Sequence, residues 1–275
     1  MEAEELLRAG RLQEAHNALE QAIRSQPADA KLRVFFFQLL AVAGQWDRAL
    51  TQLRVAAQLD AINLLTAQMY GAVLNCEIFR GRVFAGEQTP LIFGQPDPWM
   101  GWLVQAGILA AQGRYEAAAE LRDKALEAAP AVGGTVDGES FEWLADADSR
   151  LGPMLEAIVD GKYYWVPFQA IKAIQISDPK DLSDLVWAPA GFTWINEGQA
   201  QGFIPTRYSS SETSAHDAVR LARRTEWVEK PGQTYLGLGQ RMFATDVREY
   251  AVLDIRRIDL HHPDGQAPAQ EIRHG

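Results

Sequence analysis

The sequence predicts an α+β protein, with helical hairpins in the first half followed by a smaller domain built on a bent antiparallel sheet. Two observations carry this. Residues 1–130 repeat a pattern of glycine, large apolar residue and alanine at helical spacing, at an interval near 34 residues. After Pro130 the texture changes to glycine-rich turns and short runs of aromatic and β-branched residues, which suit strands. The expected division is a helical repeat domain over 1–130 and an α+β domain over 131–275.

The repeat is visible when AGRLQEAHNALEQAIRSQP (9–27), AGQWDRALTQLRVAAQLDA (43–61) and QGRYEAAAELRDKALEAAP (112–130) are superposed. Gly10, Gly44 and Gly113 stand where a left-handed residue ends one helix. Leu12, Trp46 and Tyr115 follow, and then Ala15, Ala49 and Ala118, with Ala22, Ala56 and Ala125 one further step on, allow two helices to approach closely. Pro27 and Pro130 mark the end of the second helix of their units. The pattern resembles the second half of a tetratricopeptide repeat, although KLRVFFFQLLAVAG replaces the usual signature of the first helix with phenylalanines. A further helix is expected from about Ile62 to Ala85, and Pro90, Pro96 and Pro98 interrupt the chain after it. Such arrays stack into a curved surface that binds partners on its concave side. Phe36, Phe37, Leu40, Trp99 and Trp102 are the candidates to line that surface. The alternative is that they are core, since KLRVFFFQLL is apolar almost all round.

In the second half, Asp137-Gly138 marks a turn, and YYWVPF, AIKAIQI, LVWAP, GFTWI, AQGFIPTRY and YAVLDIRRIDL read as strands. SAHDAVRLARRTEWV fits either a short helix or a strand. Between the halves, FEWLADADSRLGP gathers Glu142, Asp146, Asp148 and Arg150. A calcium loop counted from Asp146 fails, because Arg150, Leu151 and Ala157 fall where an acid, the glycine and the glutamate are required. Transition metals usually recruit histidine or cysteine, and Cys76 is the only such residue between His16 and His216. A hydrolase using Asp146 and Asp148 as paired carboxylates is the enzymatic alternative. The structural reading is a joint, with Arg150 clamping the acids ahead of a helix whose apolar face is Leu151, Met154, Leu155, Ile158 and Val159.

The remaining signals are mostly exclusions. With 47% apolar and 23% charged residues the chain is globular in composition, and no apolar run approaches a membrane span. The acidic, amphipathic N-terminus does not read as a secretory signal, so a cytoplasmic location is expected. A net charge of −10 with only short basic spots argues against nucleic acid as a partner. The single Cys76 permits no internal disulfide and has no nearby histidine to activate it. GLGQRM lacks the third glycine of a dinucleotide loop, and GESFE misses the nucleophile elbow at its last position. No cofactor is expected. His261, His262 and His274 lie toward a polar tail, APAQEIRHG, that is expected to be mobile.

Taken in order, KLRVFFFQLLAVAGQWDRALTQL, FEWLADADSRLGPMLEAIVDGKYYWVPF, DLVWAPA, PTRY, ARRTEW and GLGQRM resemble the ImpE family, also called TagJ, accessory proteins of bacterial type VI secretion systems. The resemblance implies a cytoplasmic, non-enzymatic adaptor that binds the N-terminal helix of the small sheath subunit, TssB, and acts near ClpV, the ATPase that disassembles contracted sheaths. It assigns no binding residue in this sequence.

Overall fold

Glycines in the left-handed region close the first helix of each hairpin, as the repeat predicts: Gly10, Gly44 and Gly113 have φ of +73°, +72° and +76°. The structure, a computed structural model, describes residues 2–262, so the APAQEIRHG tail with His274 lies outside the described residues. Helices α1 (Glu2–Arg8) and α2 (Leu12–Ser25) form one hairpin, and α3 (Ala30–Val42) and α4 (Trp46–Leu59) the next. Asp29 starts α3 by accepting the amides of Lys31 and Leu32 at 2.8 and 3.2 Å. A 3₁₀ turn, Ala61–Asn63, leads into the long α5 (Leu64–Phe84). After a short strand β1 (Leu91–Ile92), α6 (Pro98–Ala111) and α7 (Tyr115–Ala128) form the last hairpin. Ala15, Ala49, Ala56, Ala118 and Ala125 are all buried at the helix contacts.

The second half runs β2 (Gly133–Val136), β3 (Glu139–Phe141), β4 (Leu144–Asp146), β5 (Met154–Val159), β6 (Lys162–Pro167), β7 (Ile171–Ile176), β8 (Trp187–Trp194) and β9 (Gln199–Pro205). The one-turn α8 (Asp217–Arg220) follows, then β10 (Thr225–Lys230), β11 (Thr234–Gly239), β12 (Met242–Thr245), β13 (Glu249–Ala251) and β14 (Arg257–His261). Among the described residues the main sheet has nine strands in the order β1-β6-β5-β9-β8-β7-β14-β2-β3. It is antiparallel except for β1, which joins β6 in parallel with Leu91 opposite Tyr164. A segment of the helical half therefore belongs to the sheet. Two smaller sheets, β10-β11 and β13-β12-β4, complete the fold.

Several sequence expectations change. The stretch expected as a helix from Leu151 to Val159 contains strand β5, buried along its whole length between β6 and β9. A strand covered on both faces reads as a continuous apolar run, which a helical template also fits. What closes β5 is a two-residue turn, Asp160 and Gly161 at φ +49° and +69°, with Val159 opposite Lys162. LVWAP and GFTWI merge into the single strand β8, which keeps Pro189 between β7 and β9. YAVLDIRRIDL splits into β13, a 3₁₀ turn and β14. SAHDAVRLARRTEWV uses both options in turn, α8 first and β10 after it.

The halves share one core. Phe37 packs on Tyr70 of α5 at 5.1 Å, and Trp187 of β8 lies 6.0 Å from Tyr70 and 6.1 Å from Trp46. Leu151, Met154, Ile158, Tyr163 and Trp165 belong to the same buried cluster as α1 to α6. A second cluster lies within the sheet half, around Phe168, Phe192, Phe243 and Ile258.

Candidate functional site

The acids of the inter-half segment sit at the end of β4 and in the turn behind it, and they are locked rather than presented. The amide of Asp148 donates to Asp146 Oδ1 at 2.9 Å, and that of Arg150 to Asp148 Oδ1 at 2.9 Å. The Arg150 guanidinium closes on Asp148 through Nε (2.8 Å) and Nη2 (2.6 Å), and the Gly237 amide takes the remaining side of Oδ2 at 2.8 Å. Asp146 Oδ2 pairs with Nη1 of Arg241, whose Nη2 pairs with Glu156 and whose Nε donates to the Pro205 carbonyl at 2.8 Å. Asp146, Asp148, Glu156 and Arg241 are all buried. Glu142 stands apart, with an exposed side chain, and its amide donates to Asp246 at 2.8 Å.

The network continues into the helices. Arg80 of α5 donates to both oxygens of Glu156, at 2.6 and 3.0 Å, to Glu77 at 2.7 Å and to the Arg207 carbonyl at 2.9 Å. Glu77 also accepts the Trp187 indole N–H at 2.9 Å, and the Tyr163 hydroxyl donates to Glu156. Arg207 reaches back to the end of α3, donating to the carbonyls of Val42 at 2.9 Å and Ala41 at 3.3 Å. Arg223 does the same for α1, at Leu7 and Arg8, and Arg122 of α7 holds the β10-β11 turn through the Gly232 carbonyl at 3.0 Å. Arginines thus fasten the helical half to the sheet half at several points.

Burial pushes the Asp146 carboxyl up to about 7, against the opposing field of Arg241. Burial acts in the same direction on Glu156, but Arg80 and Arg241 outweigh it and hold that carboxyl at about 2. Burial also lowers Arg207 to about 10. The crevices beside Arg150 hold only about 10 Å³ each. Asp146, Asp148 and Glu156 are each bonded to an arginine, and the crevices beside Arg150 are too small for a substrate. Among the described residues there is also no group of three or more histidine, cysteine, aspartate or glutamate side chains placed to hold a metal.

Sequence reasoning names Asp146, Asp148 and Arg150 but misses Glu77, Arg80, Glu156, Arg207 and Arg241. The available signal is Glu156, a carboxylate in the middle of the apolar run MLEAIV. Reading that run as a helix hides it.

The candidates for an open partner surface are mostly enclosed. Phe36, Phe37, Leu40 and Trp99 are buried, and Trp102 is half-buried with the Lys124 ammonium 3.8 Å from its ring centroid. In α3 the reason is packing against α2, α4 and the 3₁₀ turn Leu182–Leu185, with His16 and Arg48 over Phe36. Apolar surface does stand free at the start of α5, where Ile62 is 79% and Leu65 78% exposed, with Met69 beyond them. Leu65, Met69, Ala72, Cys76, Phe79 and Val83 form one stripe along α5. Its C-terminal part is seated on the sheet: the Cys76 thiol donates to the Gly161 carbonyl at 3.2 Å, and Phe79 meets Tyr163 at 6.1 Å. Its first turns run past the β5-β6 turn and are uncovered.

Comparison with known proteins places this architecture. The tetratricopeptide repeat model matches residues 6–65 and 89–132, and the ImpE protein model matches residues 138–259, which contain the whole joint except Glu77 and Arg80. The chain is 49% identical over 264 residues to the type VI secretion system accessory component TagJ of Pseudomonas aeruginosa, covering 96% of this chain and 92% of that protein. The chain belongs to the ImpE (TagJ) family. A crystal structure of a Vibrio parahaemolyticus protein has a TM-score of 0.88 at 27% identity, covering 96% of this chain and 98% of that one. Homology to this family makes the chain an accessory component homologue with tetratricopeptide-type repeats. Among the described residues no helix is long and apolar enough to cross a membrane.

Proposed function

We propose that the chain is a non-enzymatic adaptor of a type VI secretion system that works in the cytoplasm. It holds the N-terminal helix of the small sheath subunit, TssB, and so assists the handling of contracted sheaths by ClpV. The observation that carries this reading is the 49% identity to a type VI accessory component along 96% of the chain. The uncovered start of α5 supports it. Ile62, Leu65 and Met69 are spaced i, i+3 and i+7, the spacing with which one amphipathic helix lies along another. The locked acids of the joint support the non-enzymatic part.

The test is titration of the purified chain with a peptide of the sheath-subunit helix, followed by Leu65→Asp and Met69→Asp. Because both side chains are already exposed, the variants keep the melting temperature, and the affinity falls by about tenfold or more. Lack of binding to both the peptide and the intact sheath subunit overturns the adaptor reading. Binding that survives both substitutions moves the site elsewhere.

A further inference from the structure

The β10-β11 ribbon has one satisfied edge and one open edge. On β11 the amides of Tyr235, Gly237 and Gly239 turn away from β10 and donate to Ser149 Oγ, Asp148 Oδ2 and Ser211 Oγ, at 2.9, 2.8 and 2.8 Å. The carbonyls of Tyr235 and Gly239 accept the amides of Ser149 and Tyr208. Alternation along an antiparallel ladder fixes the other strand. Glu226, Val228 and Lys230 bond inward to Leu238, Leu236 and Thr234, while Thr225, Trp227 and Glu229 turn their backbone N–H and C=O outward. Among the described residues those outward groups have no hydrogen-bond partner. Trp227 and Glu229 are exposed.

We infer that this edge pairs antiparallel with the same edge of a second copy of the chain, joining the two ribbons into one sheet across a two-fold axis. Charge selects both the occupant and the register. Edge strands are usually guarded by charged side chains that repel an incoming strand. Here the guards complement a two-fold copy of themselves. With Val228 on the axis, Glu226 of each copy stands opposite Lys230 of the other, and Trp227 exchanges backbone bonds with Glu229. With Trp227 on the axis, Arg224 faces Lys230 and Glu226 faces Val228, so like charges meet and no opposite charges do. In the single chain, Glu226 leans on the exposed Arg224 at 3.2 Å, and the Lys230 ammonium lies 5.8 Å from the Tyr115 ring centroid. Both are able to re-pair without breaking a buried contact.

Sedimentation velocity of the full chain, from about 1 to about 500 μM, tests this, since a contact made by one strand edge alone is weak and shows only at high concentration. The expected result is a reversible monomer–dimer equilibrium. Glu229→Pro removes an outward N–H while leaving the ladder to β11 intact, and it abolishes the dimer. Glu226→Lys places two cations opposite each other on both sides of the axis and weakens association by about tenfold or more. Adding Lys230→Glu to that variant restores it. Circular dichroism and melting temperature establish that each variant is folded. A monomer at every concentration overturns the inference. So does a dimer indifferent to Glu229→Pro, or a double charge reversal that associates no better than Glu226→Lys alone.

Discussion

Helix α3 and the first turns of α5 are both strongly apolar, yet one is core and the other is surface. Phe36, Phe37, Leu39 and Leu40 in α3 are enclosed because helices cover one side and the sheet half covers the other. Ile62, Leu65 and Met69 precede the point where the β5-β6 turn begins to cover α5, so the same kind of side chain faces water. The contrast teaches that apolar composition identifies a surface that must be covered, while the tertiary neighbours decide whether this chain covers it. In this fold α3 of the tetratricopeptide-type array is packed against the 3₁₀ turn Leu182–Leu185 of the chain's own second half.

The largest way to test the contrast is to attack what holds the cover in place. Arg241→Met leaves Asp146 and Glu156 buried without the cation between them. Loss of one member of a buried ionic network costs about 3–5 kcal/mol, so the urea midpoint falls steeply. Phe37→Ala comes next, at about 3 kcal/mol or more, because it opens a cavity where the halves meet.

Acidification probes the joint with a defined sign. Glu156 is held at about 2, below its ordinary 4.5, so its contribution is complete above pH 4.5 and is lost as the pH falls toward 2, by roughly 3 kcal/mol. Asp146 works oppositely. With its carboxyl raised from 3.8 to about 7, the folded chain retains a proton that the unfolded chain releases, and stability declines as the pH rises through that window. Denaturation curves from pH 3 to 8 show this rising-pH loss in the wild type, and Asp146→Asn removes it. The smallest effect belongs to the exposed stripe. Leu65→Ala changes stability by less than about 0.5 kcal/mol, so Phe37→Ala and Leu65→Ala, both apolar truncations in neighbouring helices, separate by several-fold in the same assay.

The helical repeat was legible because its signals are local: glycine at the end of a helix and alanine at its crossing act through neighbours a few residues away. The turn Asp160-Gly161 is equally local, yet the run before it fits a helical template, because Leu155, Ile158 and Val159 satisfy the helical spacing while being a doubly covered strand. The joint was legible only where it is contiguous. Asp146, Asp148 and Arg150 share one turn, whereas Arg80 meets Glu156 across 76 residues and Arg241 meets it across 85. No spacing rule in one dimension reports such a meeting. The core alternative for Phe36 and Phe37 prevails because neighbouring helices cover them, His16 and Arg48 over Phe36 and Tyr70 against Phe37.

Those separations have a consequence for synthesis. Hairpins such as α1-α2 and α3-α4 can pair as soon as they leave the ribosome, because each needs only adjacent residues. Arg80 emerges with them but stays without Glu156 for 76 residues, and Glu156 then waits a further 85 for Arg241. At ordinary elongation rates of about 5–20 residues per second, that interval is on the order of ten seconds. Over that interval the buried ionic network is incomplete, while α3 gains its cover from Leu182–Leu185 part-way through it.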